Sequence, residues 1–362
     1  MEAYFRFNGS VLAVQVYTSA FGNNFDGYTV IKDSQEYALS FGGELTDETL
    51  QKIVSNYQQM KADGMEEELE KTDWQIVNSW LGTLYPELRD TSNYKTMISY
   101  VDPDKLTGFY ERRQQVLDEF LEVSGQVGAE KEFLHQIERK VEKPFHYEWV
   151  EGWSTLLGSM VADLGVVMAL FLGIVLSSLF AGEWHDNTST LVLTTRNGWG
   201  KIALAKILTG LAFTVELFAL LAVSSVISQL FFMGTAGWDM PIQNIKLIAV
   251  APMNMLQAEI YEYAFVLLGA IGFAGIVMFI SAAVKNNVLT LLLSLAVVYG
   301  PMMIAEYLPY EMQKALDLIP LVGSSTDIFR TNTFRILGKL IWSPYLPVSY
   351  THLRAHETEL HL

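Results

Sequence analysis

Hydrophobic and polar residues are distributed unevenly along the chain. From residue 153 onward, four stretches of about 18 or more mostly apolar residues follow one another, a length that lets a helix cross a bilayer. These stretches cover approximately residues 156–181, 202–233, 264–284 and 288–305. Buried helices of a large soluble core are the alternative, but the remaining polar surface is too small to cover four such runs. The pattern therefore predicts a polytopic α-helical membrane domain over residues 153–346.

Short polar segments separate and follow these runs. Only Lys285-Asn286-Asn287 lies between the last two runs, which predicts a tight helical hairpin. After residue 305 the apolar pieces, around 315–322 and 334–342, are amphipathic and too short to span a bilayer. Such pieces are typical of helices that lie in the membrane interface. We therefore expect interfacial helices within residues 306–346.

The first half of the chain is more polar and has a different periodicity. Residues 1–45 alternate short apolar runs with turn residues, which favours a few strands. Helical periodicity begins after Thr46, a suitable N-cap, and returns over residues 105–123 and 130–141. We predict a mostly helical external soluble domain, α with minor β, over residues 1–152. The fold class predicted for the whole chain is mainly α.

Charge and cysteine content narrow the possible functions. The chain carries 40 acidic residues against 24 Lys and Arg, and 26 of the acidic residues precede Val150. A net charge of -16 argues against nucleic acid as a partner, because phosphate binding needs a basic face. The chain has no cysteine, which excludes structural disulfides and Cys-based metal sites. The lipid bilayer is the partner that the composition itself indicates.

Basic residues beside the apolar runs predict an orientation. Arg196 and Lys201 lie between the first two runs and Lys285 lies in the hairpin, although longer loops on the other side also contain basic residues. The positive-inside tendency then places the loop and hairpin in the cytoplasm and the acidic domain outside. No signal-peptide core follows Met1, so we expect the natural chain to begin earlier, with a further span.

The C-terminal tail looks foreign to the rest of the chain. The stretch from Val348 to Thr358 resembles a translated sequencing adapter, and we expect residues 347–362 to be non-native. His356, Glu357 and His361 lie in this tail, but the spacing from His356 to His361 is five rather than the four of a zinc HExxH helix. We predict no metal site.

Two ionisable residues fall within the predicted spans. Glu216 lies near the middle of the second run, where an unpaired charge costs several kcal/mol by some scales, and Asp163 lies near the outer end of the first. For Glu216 two interpretations stay open: a polar contact in a translocation route or helix interface, and a protonated or locally hydrogen-bonded carboxyl. For Asp163 the second interpretation is favoured, because a water-accessible rim is close. Both form a candidate intramembrane polar site.

The loop between the first two runs carries the most informative motif. An acidic residue ends one span, a polar pair and an apolar ridge follow, and a Thr-rich turn leads to a Lys that opens the next span. These elements are Glu183, Asn187-Thr188, Leu191–Leu193, Thr194-Thr195-Arg196 and Ala205-Lys206. The loop resembles the cytoplasmic loop of ABC type-two permeases, although Arg196 stands where many relatives have Pro. The segments at residues 108–113 and 143–147 resemble the external domain of a bacterial subgroup of that family.

The resemblance to this family implies a transport function. The chain would be the membrane-spanning permease subunit of an ATP-driven exporter in the bacterial cytoplasmic membrane, multi-pass, working with an ABC ATPase subunit and a second permease subunit. The family has six spans, of which this chain would hold the second to the fifth. The loop would be the coupling element that docks on the ATPase. Its apolar contact would come from Leu191, Val192 and Leu193, and its polar positions from Glu183, Arg196 and Lys201.

Catalysis and nucleotide binding are not expected in this chain itself. Gly198-Trp199-Gly200-Lys201-Ile202 lacks the upstream Gly and the hydroxyl residue of a phosphate-binding loop. We therefore expect no cofactor here and ATP and Mg in the partner ATPase. No nucleophile–base pair stands in the spans, so an enzyme is not predicted and no catalytic residue is assigned. The alternative is a non-transporting sensor or assembly protein whose external domain binds a ligand or envelope partner.

Overall fold

The structure is a computed structural model of the chain, and it is mainly helical. It describes residues 35–36, 42–64, 75–89, 96–186, 188, 194, 200–304, 307–308, 312, 331, 333–336 and 339–342. The chain divides into two compact units. Unit 1 comprises residues 1–155, 228–258 and 328–362, and unit 2 comprises residues 156–227 and 259–327.

Unit 1 consists of short helices and two small antiparallel sheets. Its helices are α1 (Asp47–Ala62), α2 (Gln75–Leu84), α3 (Phe109–Val123), α4 (Ala129–Glu138) and α5 (Glu151–Thr155). Its strands are β1 (Gly43–Glu44), β2 (His146–Tyr147), β3 (Thr333–Ile336) and β4 (Lys339–Trp342). Strand β1 pairs with β2 and β3 pairs with β4. Tight single turns of 3-10 helix lie at Pro86–Leu88, Met97–Ser99, Pro103–Lys105 and Ile242–Asn244.

Local chemistry explains where α1 and α3 begin. Thr46 is the N-cap of α1, as the sequence predicts, and its side chain accepts a hydrogen bond from the Thr49 N–H at 3.2 Å. Asp47 then reaches across to α3, where its carboxylate accepts the N–H groups of Gly108 and Phe109 at 2.7 and 2.9 Å. A helix start has N–H groups without intrahelical partners, and a carboxylate there also interacts favourably with the helix dipole. One residue of α1 therefore fixes the start of α3.

The hydrophobic core of unit 1 joins residues that are far apart in sequence. Trp80 of α2 packs edge-on against Tyr147 of β2, with ring centroids 5.3 Å apart, and its Nε1 donates to the Asn244 carbonyl at 3.2 Å. The buried core residues are Leu45, Leu50, Ile53, Val54, Val77, Trp80, Leu81, Leu84, Tyr85, Met97, Ile98, Val101, Leu106, Phe109, Val141, Phe145, Tyr147 and Leu247.

Residues 234–254 belong to this unit, which the sequence analysis did not anticipate. Leu247 lies in the core, and the amide of Asn244 donates to the His146 carbonyl at 2.9 Å. Gly237 packs so closely on the chain that a Cβ there would lie 2.2 Å from the Trp149 carbonyl oxygen. Its φ of +79° is a conformation that glycine adopts without strain. Residues 234–254, which follow a long apolar helix, thus complete a core whose other residues lie about 100 positions earlier in the sequence.

Unit 2 is built from long apolar helices. A single π-helical turn at Leu156–Met160 leads into α6 (Val161–His185), which is followed by α7 (Lys201–Met233), α8 (Met255–Val284) and α9 (Asn287–Ile304). The last residues of α7 and the first of α8 belong to unit 1. Three of the described helices are long and apolar enough to cross a membrane: Glu151–Trp184, Lys201–Met233 and Met255–Val284.

The fourth predicted span stays a prediction. Helix α9 is apolar but shorter, and it contains Pro301. Helix α8 begins at Met255, earlier than the predicted span at residue 264, so it carries an additional polar stretch at its start. Large apolar side chains on these helices are exposed, among them Leu220 of α7 and Phe279 of α8. Lipid is the environment in which such side chains are not costly, which agrees with a membrane location.

Small and polar side chains hold α6, α7 and α8 together. A Cβ on Gly210 of α7 would lie 2.7 Å from the Met278 sulfur of α8 and 3.4 Å from Leu176 of α6. Ser281 of α8 donates to the Ser177 carbonyl of α6 at 2.7 Å and accepts from the Ala181 N–H at 3.0 Å. Glycine lets helix backbones approach closely, and a serine hydroxyl adds an interhelical hydrogen bond.

One prediction about the region after residue 305 is wrong. The segment 334–342, predicted as an interfacial helix within 306–346, is part of a β-hairpin in which Thr333 pairs with Trp342 and Phe334 with Ile341. β-branched and aromatic side chains favour strands, and four of these positions carry them. The short apolar run was compatible with either structure, and strand pairing decided it. Apart from scattered positions, residues 305–332 lie outside the described chain, as do 1–34 and the tail 343–362.

Candidate functional site

An ion pair closes the base of the loop between α6 and α7. Glu183, in the last turn of α6, lies 2.5 Å from the ammonium of Lys206, in the second turn of α7. The same ammonium donates to the Leu179 carbonyl at 2.6 Å and lies over the Phe180 ring at 5.0 Å. Lys206 lies beside the last two turns of α6, where the helix dipole favours a cation. Lys206 therefore fixes both the end of α6 and the start of α7.

The hairpin between α8 and α9 lies at the same end of unit 2. Lys285 ends α8 with a φ of 59°, and its ammonium lies 3.7 Å from the centroid of the Trp184 ring on α6. Asn286 then caps α9, because its side-chain oxygen accepts the Leu289 N–H at 2.9 Å. This end of unit 2 therefore gathers the ends of four helices, and we call it the loop end.

The described residues include only part of the predicted coupling element. Glu183 takes part in the ion pair, and Lys201 is exposed at the first position of α7. Leu191, Val192, Leu193 and Arg196 lie outside the described residues.

The structure does not bring Asp163 and Glu216 together. Asp163 is exposed in the first turn of α6, and Glu216 is exposed in the middle of α7. The contacts of Gly210 with Leu176 and of Lys206 with Glu183 show that the two helices run antiparallel. Asp163 therefore lies opposite a residue of α7 about two turns beyond Glu216. Along the helix axes, Asp163 and Glu216 are separated by roughly 12 Å. They do not form one site within this chain.

A buried polar cluster on α7 and α8 was missed by the sequence analysis. The hydroxyls of Ser225 and Tyr263 lie 2.8 Å apart, and Glu259 lies one turn before Tyr263 on α8. Glu259 is 4% exposed and Glu262 is fully buried. The predicted span began at residue 264 because both carboxylates interrupt the apolar run. The available signal was that positions 259, 262, 263 and 266 share one helical face.

Polar groups buried among apolar helices are costly unless they interact, and in membrane proteins they commonly mark functional positions. The cluster therefore joins the loop end as a second candidate position in unit 2. In the part of the chain that the structure describes, no group of three or more His, Cys, Asp and Glu residues has the arrangement to hold a metal ion.

Comparison with protein-family models, with curated proteins and with solved structures finds no match to this chain. The family resemblance consequently depends on the loop residues and on the order of apolar runs.

Proposed function

We propose that the chain is the membrane-spanning permease subunit of an ATP-driven exporter, and that the loop between α6 and α7 couples it to a separate ATPase. The observation that carries this proposal is the Glu183–Lys206 ion pair at the base of the loop. The pair joins the end of α6 to the start of α7, the two helices that residues 187–200 connect. A force on the loop therefore acts on α6 and α7 together. We call this ion pair the clamp.

The packing around the clamp supports transmission from the loop to the other helices. Lys285 lies on Trp184, directly beside Glu183, and Ser281 is hydrogen-bonded to the α6 backbone one turn before. A displacement of the end of α6 therefore reaches α8 through direct contacts. Nucleotide-driven closure of an ATPase on the loop would move α6, α7 and α8 as a group.

The connectivity of the chain supports the expected topology. Residues up to 155 and residues 228–258 form parts of one compact unit, and α6 and most of α7 connect them along the sequence. Two crossings return a chain to the side on which it began, so both parts of unit 1 share one side and the loop lies on the other. With Lys201 and Lys285 at the loop end, the positive-inside tendency favours the bacterial cytoplasm for that end.

The proposed partners follow from this arrangement. The ATPase supplies the ATP and Mg sites, and a second permease subunit, identical or homologous, completes the transport path. The exposed middle of α7 is compatible with a protein neighbour, because Glu216 would otherwise face lipid.

A triple substitution in the loop tests the proposal. Changing Leu191, Val192 and Leu193 to Ser removes about 2–5 kcal/mol of apolar burial at roughly 25 cal/mol per Å², before the costs of association. The variant should insert normally and fail to co-purify with its ATPase partner.

The matched control changes Val123 and Val127 of unit 1, which are 89% and 59% exposed, to Ser. This control removes apolar surface from the other side of the membrane and should retain the ATPase. If the loop variant also retains the ATPase and its hydrolysis rate, the loop does not couple, and the sensor alternative gains support.

A further inference from the structure

Lys285 has an unusual backbone conformation in the hairpin between α8 and α9. Its φ is 59°, and in the described part of the chain every other residue with a positive φ is a glycine. This left-handed conformation is unfavourable for a residue with a Cβ, and glycine and asparagine adopt it more readily. Strain of this kind persists where the surrounding structure holds it, and it often marks a functional position. Lys285 therefore needs an explanation other than the stability of the turn.

The ammonium of Lys285 has no anionic partner in the described chain. It lies 3.7 Å from the centroid of the Trp184 ring on α6, and among the described residues no carboxylate pairs with it. A ring face occupies only one side of an ammonium, which has three N–H donors. Because Lys285 is exposed, its other donors are accessible to an anion from outside the protein.

The other charges at the loop end leave this end positive. Lys206 and Glu183 pair with each other. Lys201 and Lys285 are both exposed, and Asp186 is the remaining carboxylate of the described residues there. Three ammonium groups thus stand against two carboxylates. Anionic lipids attract basic residues near the bilayer surface, so this end of unit 2 has the charge that such lipids prefer.

Lys285 and Trp184 stand at the ends of helices that are able to cross a membrane. Trp184 is the last residue of the stretch Glu151–Trp184, and Lys285 follows directly after Met255–Val284. An indole that is 39% exposed at the end of a span is typical of the bilayer interface, and a lysine there extends its ammonium to the headgroups. The pair therefore lies at the level of the phospholipid headgroups.

An apolar surface suited to acyl chains begins directly after the hairpin. Helix α9 exposes Val288 and Leu292, which lie one turn apart on the same helical face. A soluble phosphate would contact only the charged groups, whereas a phospholipid presents a charged headgroup and apolar chains together. The surroundings of Lys285 therefore fit a lipid better than a free anion.

We propose that Lys285 and Trp184 form a binding site for the headgroup of an anionic phospholipid at the loop end. The ammonium donates to the phosphate oxygens of the lipid, the indole lies at the bilayer interface, and the acyl chains run along α9 beside Val288 and Leu292. The proposal goes beyond the permease function, because it concerns contact with the bilayer and holds for a permease and for a sensor.

Quenching of tryptophan fluorescence by brominated lipids tests the proposal. The full chain is placed in phosphatidylcholine nanodiscs that contain increasing fractions of phosphatidylglycerol with brominated chains. The difference between the natural chain and Trp184→Phe separates the signal of Trp184 from that of the other tryptophans. Half of this signal should be quenched at a lower fraction of brominated phosphatidylglycerol than of brominated phosphatidylcholine. Added salt should reduce the difference, because salt screens exposed charges.

Charge variants locate the site. Lys285→Gln should raise the fraction of phosphatidylglycerol needed for half-quenching about fivefold, the effect of one basic residue at an anionic membrane surface, and should leave the phosphatidylcholine value unchanged. Lys285→Arg keeps the charge and should retain the preference. Lys52→Gln is the matched control, because it removes the same charge from an exposed position of α1, and it should have no effect.

Lys285→Asn separates lipid binding from the stability of the turn. Asparagine adopts a positive φ more readily than lysine, so the midpoint of thermal unfolding should not fall although the lipid preference is lost. Equal quenching by the two lipids, an equal loss in Lys52→Gln, or displacement of the lipid by millimolar glycerol phosphate would each overturn the proposal. A lower unfolding midpoint for Lys285→Asn would also overturn it, because Lys285 would then serve the turn itself. Co-purification with the ATPase, the test of the permease function, has no part in these outcomes.

Discussion

Arg113 and Glu138 form an ion pair inside unit 1, with an Nη1–Oε1 distance of 2.6 Å and side chains that are 0% and 3% exposed. Arg113 also donates to the carbonyls of Leu247 and Ala249, at 2.7 and 3.2 Å. Lys143 contacts the same carboxylate of Glu138 at 2.8 Å. One guanidinium therefore connects α3, α4 and the 234–254 segment, and it shares the Glu138 carboxylate with Lys143.

Removing the buried guanidinium should destabilise the protein. Arg113→Met leaves Glu138 without its buried partner and two carbonyls without donors, so we expect a loss of about 3–5 kcal/mol. Tryptophan fluorescence of the full chain in detergent gives the midpoint of thermal unfolding, which measures this loss of stability. Arg139→Met is the control, because Arg139 and Glu132 form an exposed pair worth about 1 kcal/mol or less. Equal shifts for both variants would show that the buried pair is unimportant.

The same pair makes stability depend on pH. Burial by itself would raise the pKa of Glu138, but hydrogen bonds from Lys143 and Arg113 outweigh it and hold the pKa below its ordinary value of 4.5. A lowered pKa stabilises the folded state above the unfolded value, and that contribution is lost as the pH falls through the folded value. The difference in unfolding midpoint between the natural chain and Glu138→Gln should therefore be full at neutral pH and should shrink below about pH 4.5. A difference independent of pH would contradict this account.

Gly237 should not tolerate a side chain. Gly237→Ala places a Cβ against the Trp149 carbonyl at 2.2 Å and forces an unfavourable φ, so the 234–254 segment must shift. Gly64→Ala has almost the same φ, +76°, but meets no atom within 4 Å, and it should cost only about 1–2 kcal/mol of backbone strain. Thermal unfolding of the two variants separates strain from the steric clash. Similar midpoints would mean that the segment accommodates the methyl group.

Single cysteines in this cysteine-free chain test the topology. Val123 and Lys246 are exposed residues of unit 1, and Gly200 is exposed at the start of α7. An impermeant thiol reagent on intact cells should label cysteines at the first two positions and not at the third. Different labelling at Val123 and Lys246 would show that these two residues do not lie on the same side of the membrane, and therefore do not belong to one compact unit. Labelling of Gly200→Cys alone would show that the topology is the reverse of the predicted one, and the loop could then not contact a cytoplasmic ATPase.

A charge exchange tests the clamp, the ion pair of Glu183 and Lys206 at the loop end. Glu183→Lys and Lys206→Glu each place two like charges side by side, and each should reduce ATPase-coupled transport without loss of membrane insertion. The double exchange restores opposite charges and should recover most of the activity, although the Leu179 carbonyl loses its donor. Asp186→Lys, one residue beyond α6, is the control for the charge change. A double variant as impaired as the single ones would show that the pairing itself is unimportant.

Features that depend on short stretches of sequence were predictable. Thr46 is the N-cap of α1 because its hydroxyl needs only the N–H three residues later. The long apolar runs indicated helices able to cross a membrane, because backbone hydrogen bonds within a helix leave no polar group for lipid to satisfy. The start of α8 was less predictable, since Glu259 and Glu262 break the apolar run although they are buried in the structure.

The hairpin of β3 and β4 shows where local pattern is insufficient. A short amphipathic run fits a helix or a strand, and only pairing of Thr333 with Trp342 settles the choice. The ion pair of Glu183 with Lys206 was likewise hidden, because the two residues stand at opposite ends of a loop.

The amino-acid sequence by itself determined the helical, membrane-compatible character of the second half and the start of α1 at Thr46, since length, apolar content and capping act within a few turns. Tertiary structure decided that residues 234–254 complete unit 1, through Leu247 in its core and Arg113 on its carbonyls. These contacts join positions more than 100 residues apart, where no periodicity links one residue to the other, and burial of a shared core selects them.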